Sequence, residues 1–191
     1  MNILRITLIL LVTLITGCSI NHPVAQDYEA HLEKYGSETT LPKTNMEADY
    51  LIGSDTEQHH YEFRAASVGA AHLWIVEFGK ILDQTLQADY VQSAFGRLDK
   101  TTVPYSNNGN LIVFELESFE FKDYKAHTAL NIKIMYGTDE LFNKTYQAEG
   151  ESQAGQMWTA GPFGMKNATL KSTKQSIDII LAQFINDINT H

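Results

Sequence analysis

Three sets of side chains in this 191-residue chain have types and spacing that could do chemistry. His59, His60 and Glu62 are metal-ligand types in a row. On a strand only alternate residues share a face, so His60 and Glu62 converge while His59 points away. That supplies two ligands where a stable site wants three or four, and His72 is the nearest third candidate. A solvated strand face, with Arg64 partnering Glu62, accounts for the same residues, and no metal site is expected. Gly150-Glu151-Ser152-Gln153-Ala154 approaches the G-x-S-x-G elbow of a nucleophilic serine, but Ala stands where the last Gly belongs. That elbow also needs a strand–turn–helix setting in a parallel sheet. The third candidate is Cys18, the chain's single cysteine. Being alone, it excludes an internal disulfide framework and any multi-cysteine zinc or iron–sulfur centre. With no P-loop, G-x-G-x-x-G or H-E-x-x-H run either, the sequence implies no catalytic residue, no cofactor and no enzyme.

What precedes Cys18 gives it a role. Residues 1–5 carry one positive charge, Arg5, and residues 6–14 are apolar apart from Thr7 and Thr13. The run is too short to span a bilayer, which takes roughly 20 apolar residues, but fits the core of an export signal. It ends in Ile15-Thr16-Gly17-Cys18. That tetrapeptide resembles the lipobox of bacterial lipoproteins, in which a small residue precedes the cysteine that is acylated and becomes the mature N-terminus. The resemblance implies a signal peptide over residues 1–17, acyl chains on Cys18 as a membrane anchor, and a periplasmic address. Ser19 follows where the enterobacterial sorting pattern uses Asp for inner-membrane retention, which points to the periplasmic face of the outer membrane.

The chain carries 23 acids against 14 bases, a formal charge of −9. Loss of the leader removes Arg5 and no acid. Phosphate binding needs clustered Lys and Arg, so nucleic acid is not an expected partner. Nine acids against Lys34 and Lys43 fall between Asp27 and Glu62, which reads as a solvated segment. Residues 18–57, with no sustained period, are expected to form an acidic tether with a short helix at 28–35. Residues 58–191 are expected to form a single periplasmic domain.

In that domain, residues 59–64 alternate as a half-buried strand would. Residues 68–95 read as a long amphipathic helix, with Ala71, Ile75, Phe78, Leu82 and Leu86 as its stripe. Residues 111–119, 125–136 and 140–149 alternate as strands, the last two joined at Gly137-Thr138-Asp139. A closing helix over 167–189 carries Leu170, Ile177, Leu181, Phe184 and Ile188, with Asn167 as its N-cap. The expected architecture is α+β, in the order β-α-β-β-β-α. It has an antiparallel sheet of about four strands and two long amphipathic helices on one face.

Tyr61-Glu62-Phe63-Arg64, His72-Leu73-Trp74, Val113-Phe114-Glu115-Leu116 and the closing stripe at 177–188 carry a second resemblance. With the lipobox and tether, this plan resembles the auxiliary lipoproteins of ABC-type intermembrane lipid transporters. It implies a non-enzymatic accessory subunit of an envelope transport system, with an envelope protein as partner. An assembly factor for an outer-membrane or surface structure, and a module binding a small apolar ligand, are the alternatives. The stretch 153–165 reads as a loop. Its Met157, Trp158, Phe163 and Met165 are partner-binding candidates, because Met adapts and aromatics bury much area. The competing reading folds Trp158 and Phe163 onto the sheet as core. Trp74 is expected in the core.

Overall fold

The computed structural model describes residues 19–65, 69–105 and 109–190, apart from the side chains of Ser37 and residues 156–159. In chain order the elements are β1 (Ile20–Pro23), α1 (Tyr28–Tyr35), β2 (Glu47–Ile52), the single turn α2 (Ser54–Glu57), β3 (His60–Phe63), β4 (His72–Glu77), α3 (Phe78–Gln87), the short α4 (Asp89–Gln92), β5 (Arg97–Lys100), β6 (Asn110–Lys122), β7 (Lys125–Tyr136), β8 (Asp139–Glu149) and α5 (Ala154–Thr190). They form two sheets, a five-stranded one ordered β5-β2-β6-β7-β8 and a three-stranded one ordered β1-β4-β3. The fold is α+β.

Alternation builds the antiparallel meander β6-β7-β8. On β7, Ala126, Thr128, Leu130, Ile132 and Ile134 are buried. Along β6 the inward residues begin as Ile112 and Phe114, then change parity to Phe119 and Phe121. A bulge between Leu116 and Ser118 absorbs the change: one extra residue bends the strand and keeps its apolar side facing the core. Helices cover one face of the large sheet. α5 places Phe184 against Phe142 and Tyr146 of β8, and the Tyr50 hydroxyl of β2 donates to Asp83 of α3 at 3.0 Å. The opposite face holds Glu115, Glu117, Asn131, Lys133, Asn143 and Thr145. There Lys133 donates to Glu115 at 2.6 Å and Thr145 to Glu117 at 2.7 Å.

In place of one antiparallel sheet of about four strands under two long helices there are two sheets, and only α5 is long. The larger sheet is mixed, because β2 runs parallel to β5 and β6. The expected order is also corrected in three places. Residues 72–77 are a strand, and the helix starts only at Phe78. The 71-75-78 spacing mimics a helical stripe, but the buried set is Trp74, Val76 and Phe78, a period of two. Residues 18–57 are not an extended tether over their described length: β1, α1 and β2 lie there, and Val24, Tyr28, Ala48 and Tyr50 are fully buried. Their acids occupy the outer faces of these elements, so charge density concealed a folded segment. In this segment only α1 matches its expected span. Finally, helix replaces loop from Ala154 onward, so Asn167 lies inside α5 and caps nothing.

α1 is fixed from within. The Tyr28 hydroxyl meets that of Thr85 on α3 at 2.7 Å, and His31 packs between the rings of Tyr28 and Tyr35. Burial, reinforced by the charges of Lys174, Lys171 and Lys34, lowers the His31 pKa to about 4. The unfolded chain takes up this proton near pH 6.5 and the folded chain resists it until about 4. Stability is therefore complete above pH 6.5 and declines as pH falls through that window, by up to about 3 kcal/mol. Urea titrations at stepped pH are expected to show the decline in the wild type and a shallower one in His31→Gln.

Candidate functional site

One end of the molecule collects the segments that carry the candidate residues. β1 runs parallel to β4, pairing Ile20 with His72 and Pro23 with Ile75, so both strands start at this end. β3 runs antiparallel to β4, bringing Phe63 beside Trp74. The β6–β7 turn lies here too, since Phe121 contacts Phe63 at 5.1 Å between ring centres. The N-terminus of α5 joins them through the Gln153 N–H, which donates to the Tyr124 carbonyl at 3.1 Å.

An aromatic column supports this end. His22 stacks on Trp74 at 5.5 Å, Trp74 on Phe63 at 5.5 Å, and Tyr61 meets Phe119 edge-on at 5.4 Å. Phe119 reaches Phe78 at 5.3 Å, joining the small sheet to the core. Trp74 is fully buried, as expected, although on a strand rather than a helix. His22 Nε2 and His72 Nδ1 lie 2.8 Å apart. One ring donates its N–H and the other accepts, so the bond requires at least one neutral ring. Burial, then the His72 and Lys166 charges, lowers the His22 pKa and favours that state.

Arg64 holds Ser19 and borders a groove that α5 also lines. Its guanidinium donates to the Ala70 carbonyl at 2.6 Å and to Ser19 Oγ at 3.1 Å, rather than to Glu62 as the strand-face reading anticipated. With Phe63, Phe121, Tyr124 and Met165 it lines an open groove of about 330 Å³. Lys166 adds an ion pair to Asp27 at 2.6 Å. Ser19, the residue after Cys18, thus bonds the same Arg64 that borders the groove lined by Met165.

The partner-binding candidates divide. Phe163 is 72% exposed, which overturns its reading as core, whereas Met165 is 1% exposed and packs inward, so it presents no surface to a partner. Met157 and Trp158 fall within α5, but their side chains, like the whole of Cys18, lie outside the described residues. The helix containing them breaks at Gly161, whose φ of 53° and ψ of −134° are open to glycine. Pro162 then restarts it, a position where a missing N–H costs little. Gly155, Gly161, Pro162 and Gly164 are the loop signals that concealed this helix.

The other chemical candidates stay apart. His60 pairs with Glu77 and lies at the far end of β4 from His72, which joins His22 instead. Among the described residues no group of three or more His, Cys, Asp or Glu could hold a metal ion. Ser152 is exposed just past antiparallel β8. His22 escaped the sequence reading because its partner is fifty residues away; Pro23, which suits the end of an edge strand, was the available signal.

No helix among the described residues is long and apolar enough to cross a membrane. No family model and no curated protein matches the sequence. Among solved structures the chain is similar to protein XCC0632 from Xanthomonas campestris, a DUF330 protein, at 12% identity and a TM-score of 0.49, over 78% of this chain and 90% of that one. It is also similar to the hypothetical protein CT253 from Chlamydia trachomatis, at 10% identity and a TM-score of 0.40, over 78% of this chain and all of that one.

Proposed function

We propose that this chain is a non-enzymatic, lipid-anchored lipoprotein on the periplasmic face of the outer membrane, serving as an accessory subunit of an intermembrane lipid transport system. The observation that carries the reading is the position of Cys18. The only cysteine follows a charged and apolar leader in the order Ile15-Thr16-Gly17-Cys18, two residues ahead of the strand that opens the fold. Acyl chains contribute roughly 0.8 kcal/mol per buried CH2, and stable anchoring takes two signals. A diacylglyceryl group with an amide-linked chain supplies more than that. The folded body then acts as a docking unit, and transport chemistry belongs to its partners.

The test is metabolic labelling with a palmitate analogue, followed by membrane fractionation. Cys18 is expected to carry the label, and Cys18→Ala to lose all of it together with membrane sedimentation. A Cys18→Ala chain that still sediments with the outer membrane argues against the anchor. For the transport role, deletion is expected to disturb lipid distribution between the membranes. A deletion that removes a surface structure and leaves lipid distribution intact selects the assembly-factor alternative instead.

A further inference from the structure

We infer that the end of the molecule bearing Ile20 and Phe163 seats directly on the phospholipid surface, a step that rests on acylation of Cys18. The argument begins with reach. Ile20 is two positions after Cys18, and an extended chain covers at most roughly 3.5 Å per residue, so their Cα atoms stay within about 7 Å. The headgroup region on each side of the hydrocarbon core is of similar thickness. Ile20 is already fixed to the body, its N–H donating to the Ala71 carbonyl at 2.8 Å. Acyl chains in the hydrocarbon therefore hold β1, and the segments around it, against the headgroups.

The surface presented there suits that position. Ile20 is 49% and Phe163 72% exposed; Ile20 follows Ser19, which Arg64 bonds, and Phe163 lies two residues before Met165, which lines the groove beside Arg64. Exposed apolar side chains at such a depth enter the headgroup and acyl boundary. This end presents no basic patch: Arg64, Lys122, Lys125 and Lys166 stand beside Asp27, Glu62, Glu120, Asp123, Glu149 and Glu151. Seating thus needs no anionic lipid, and the occupant is a zwitterionic bilayer. Phe163 acts as a membrane contact in place of the protein contact its stretch first suggests.

A single reporter thiol tests this, because acylation blocks the only native one. Ala160→Cys, three residues before Phe163 and itself exposed, is labelled with an environment-sensitive dye in the processed lipoprotein. The protein is then reconstituted in phosphatidylcholine vesicles. The emission is expected to shift to the blue and to be quenched by lipids brominated near the headgroup. Both effects should shrink when Phe163→Ser is added. The same dye at Leu141→Cys, an exposed position near the β7–β8 turn at the opposite end, is expected to stay in water. Vesicle-bound protein with a water-exposed dye at position 160 overturns the seating and leaves the anchor intact. A dye that shifts only when a periplasmic extract is added overturns it in favour of a protein occupant, and one that shifts only with anionic lipid overturns the charge-neutral mode. Protein that carries no label on Cys18 and does not float with vesicles overturns the anchor, and the seating with it.

Discussion

Asp178→Ala is expected to cost about 3–5 kcal/mol in urea unfolding, the range for stranding a buried charge. Asp178 Oδ2 accepts from Lys174 Nζ at 2.7 Å and from Thr39 Oγ1 at 2.9 Å, while Oδ1 accepts from the Tyr90 hydroxyl at 2.6 Å. The Lys174 and Asp178 side chains are 5% and 9% exposed. Burial first, then the Asp178 charge, pushes the Tyr90 pKa up and keeps its hydroxyl a donor. Without the carboxylate, the Lys174 ammonium retains Thr39 Oγ1 at 2.8 Å and the face of Tyr90 at 4.5 Å, neither an anion. Replacing both partners by apolar residues, Lys174→Met with Asp178→Leu, is expected to recover most of the loss. A single-variant cost below about 1 kcal/mol would mean that water reaches the pair. The network ties α5 and α4 to the segment after α1, and its loss should loosen residues 28–41 first in hydrogen exchange.

Gly150→Ala is expected to cost about 3 kcal/mol, at the upper end of the range for overpacking, because backbone must move. A Cβ there would lie 2.0 Å from the Ser172 carbonyl oxygen and 2.3 Å from Ser172 Oγ. Ser172 Oγ is itself committed, accepting the Ala126 N–H at 2.8 Å, and the Gly150 N–H donates to the Ala126 carbonyl at 2.9 Å. Glycine at this point allows the end of β8 to pass close beneath α5 and sets where residues 153–165 begin. Gly155→Ala is the control: beyond its chain neighbours and its own helix backbone, no atom of the described residues lies within 4 Å of an added Cβ, and in a helix the change should stabilise by up to about 1 kcal/mol. Thermal melts of the two variants, moving in opposite directions, check the prediction. Equal melting temperatures would refute the close approach.

The parts of the fold legible in the sequence are those set by local periodicity. The β6–β8 meander follows from alternation and the 177–188 stripe from helical spacing. What escaped was set by partners far along the chain. β1 pairs with a strand some fifty residues away, and the small sheet leaves only a period of two at Trp74, Val76 and Phe78, hidden beneath a helical spacing. The β6 bulge reverses parity without altering composition. The proposed role of Cys18 rests on a linear signal, the residues that precede it. The meeting of Ser19 with Arg64, beside the groove that Met165 lines, was not legible, since it depends on β1 and β4 being parallel and on α5 starting beside the β6–β7 turn.

The parallel pairing of β1 with β4 also has a mechanical meaning. A pull on Cys18 along the strand axis, away from the body, loads β1 lengthwise against β4. The bonds from the Ile20 N–H to Ala71 and from the Val24 N–H to Ile75, each 2.8 Å, then share the force in shear. A β1 antiparallel to β4, entering from the opposite end and doubling back to the same pull, would unzip one bond at a time. The strand nearest the proposed anchor is therefore oriented to resist detachment when the distal end of the molecule is drawn away from the bilayer.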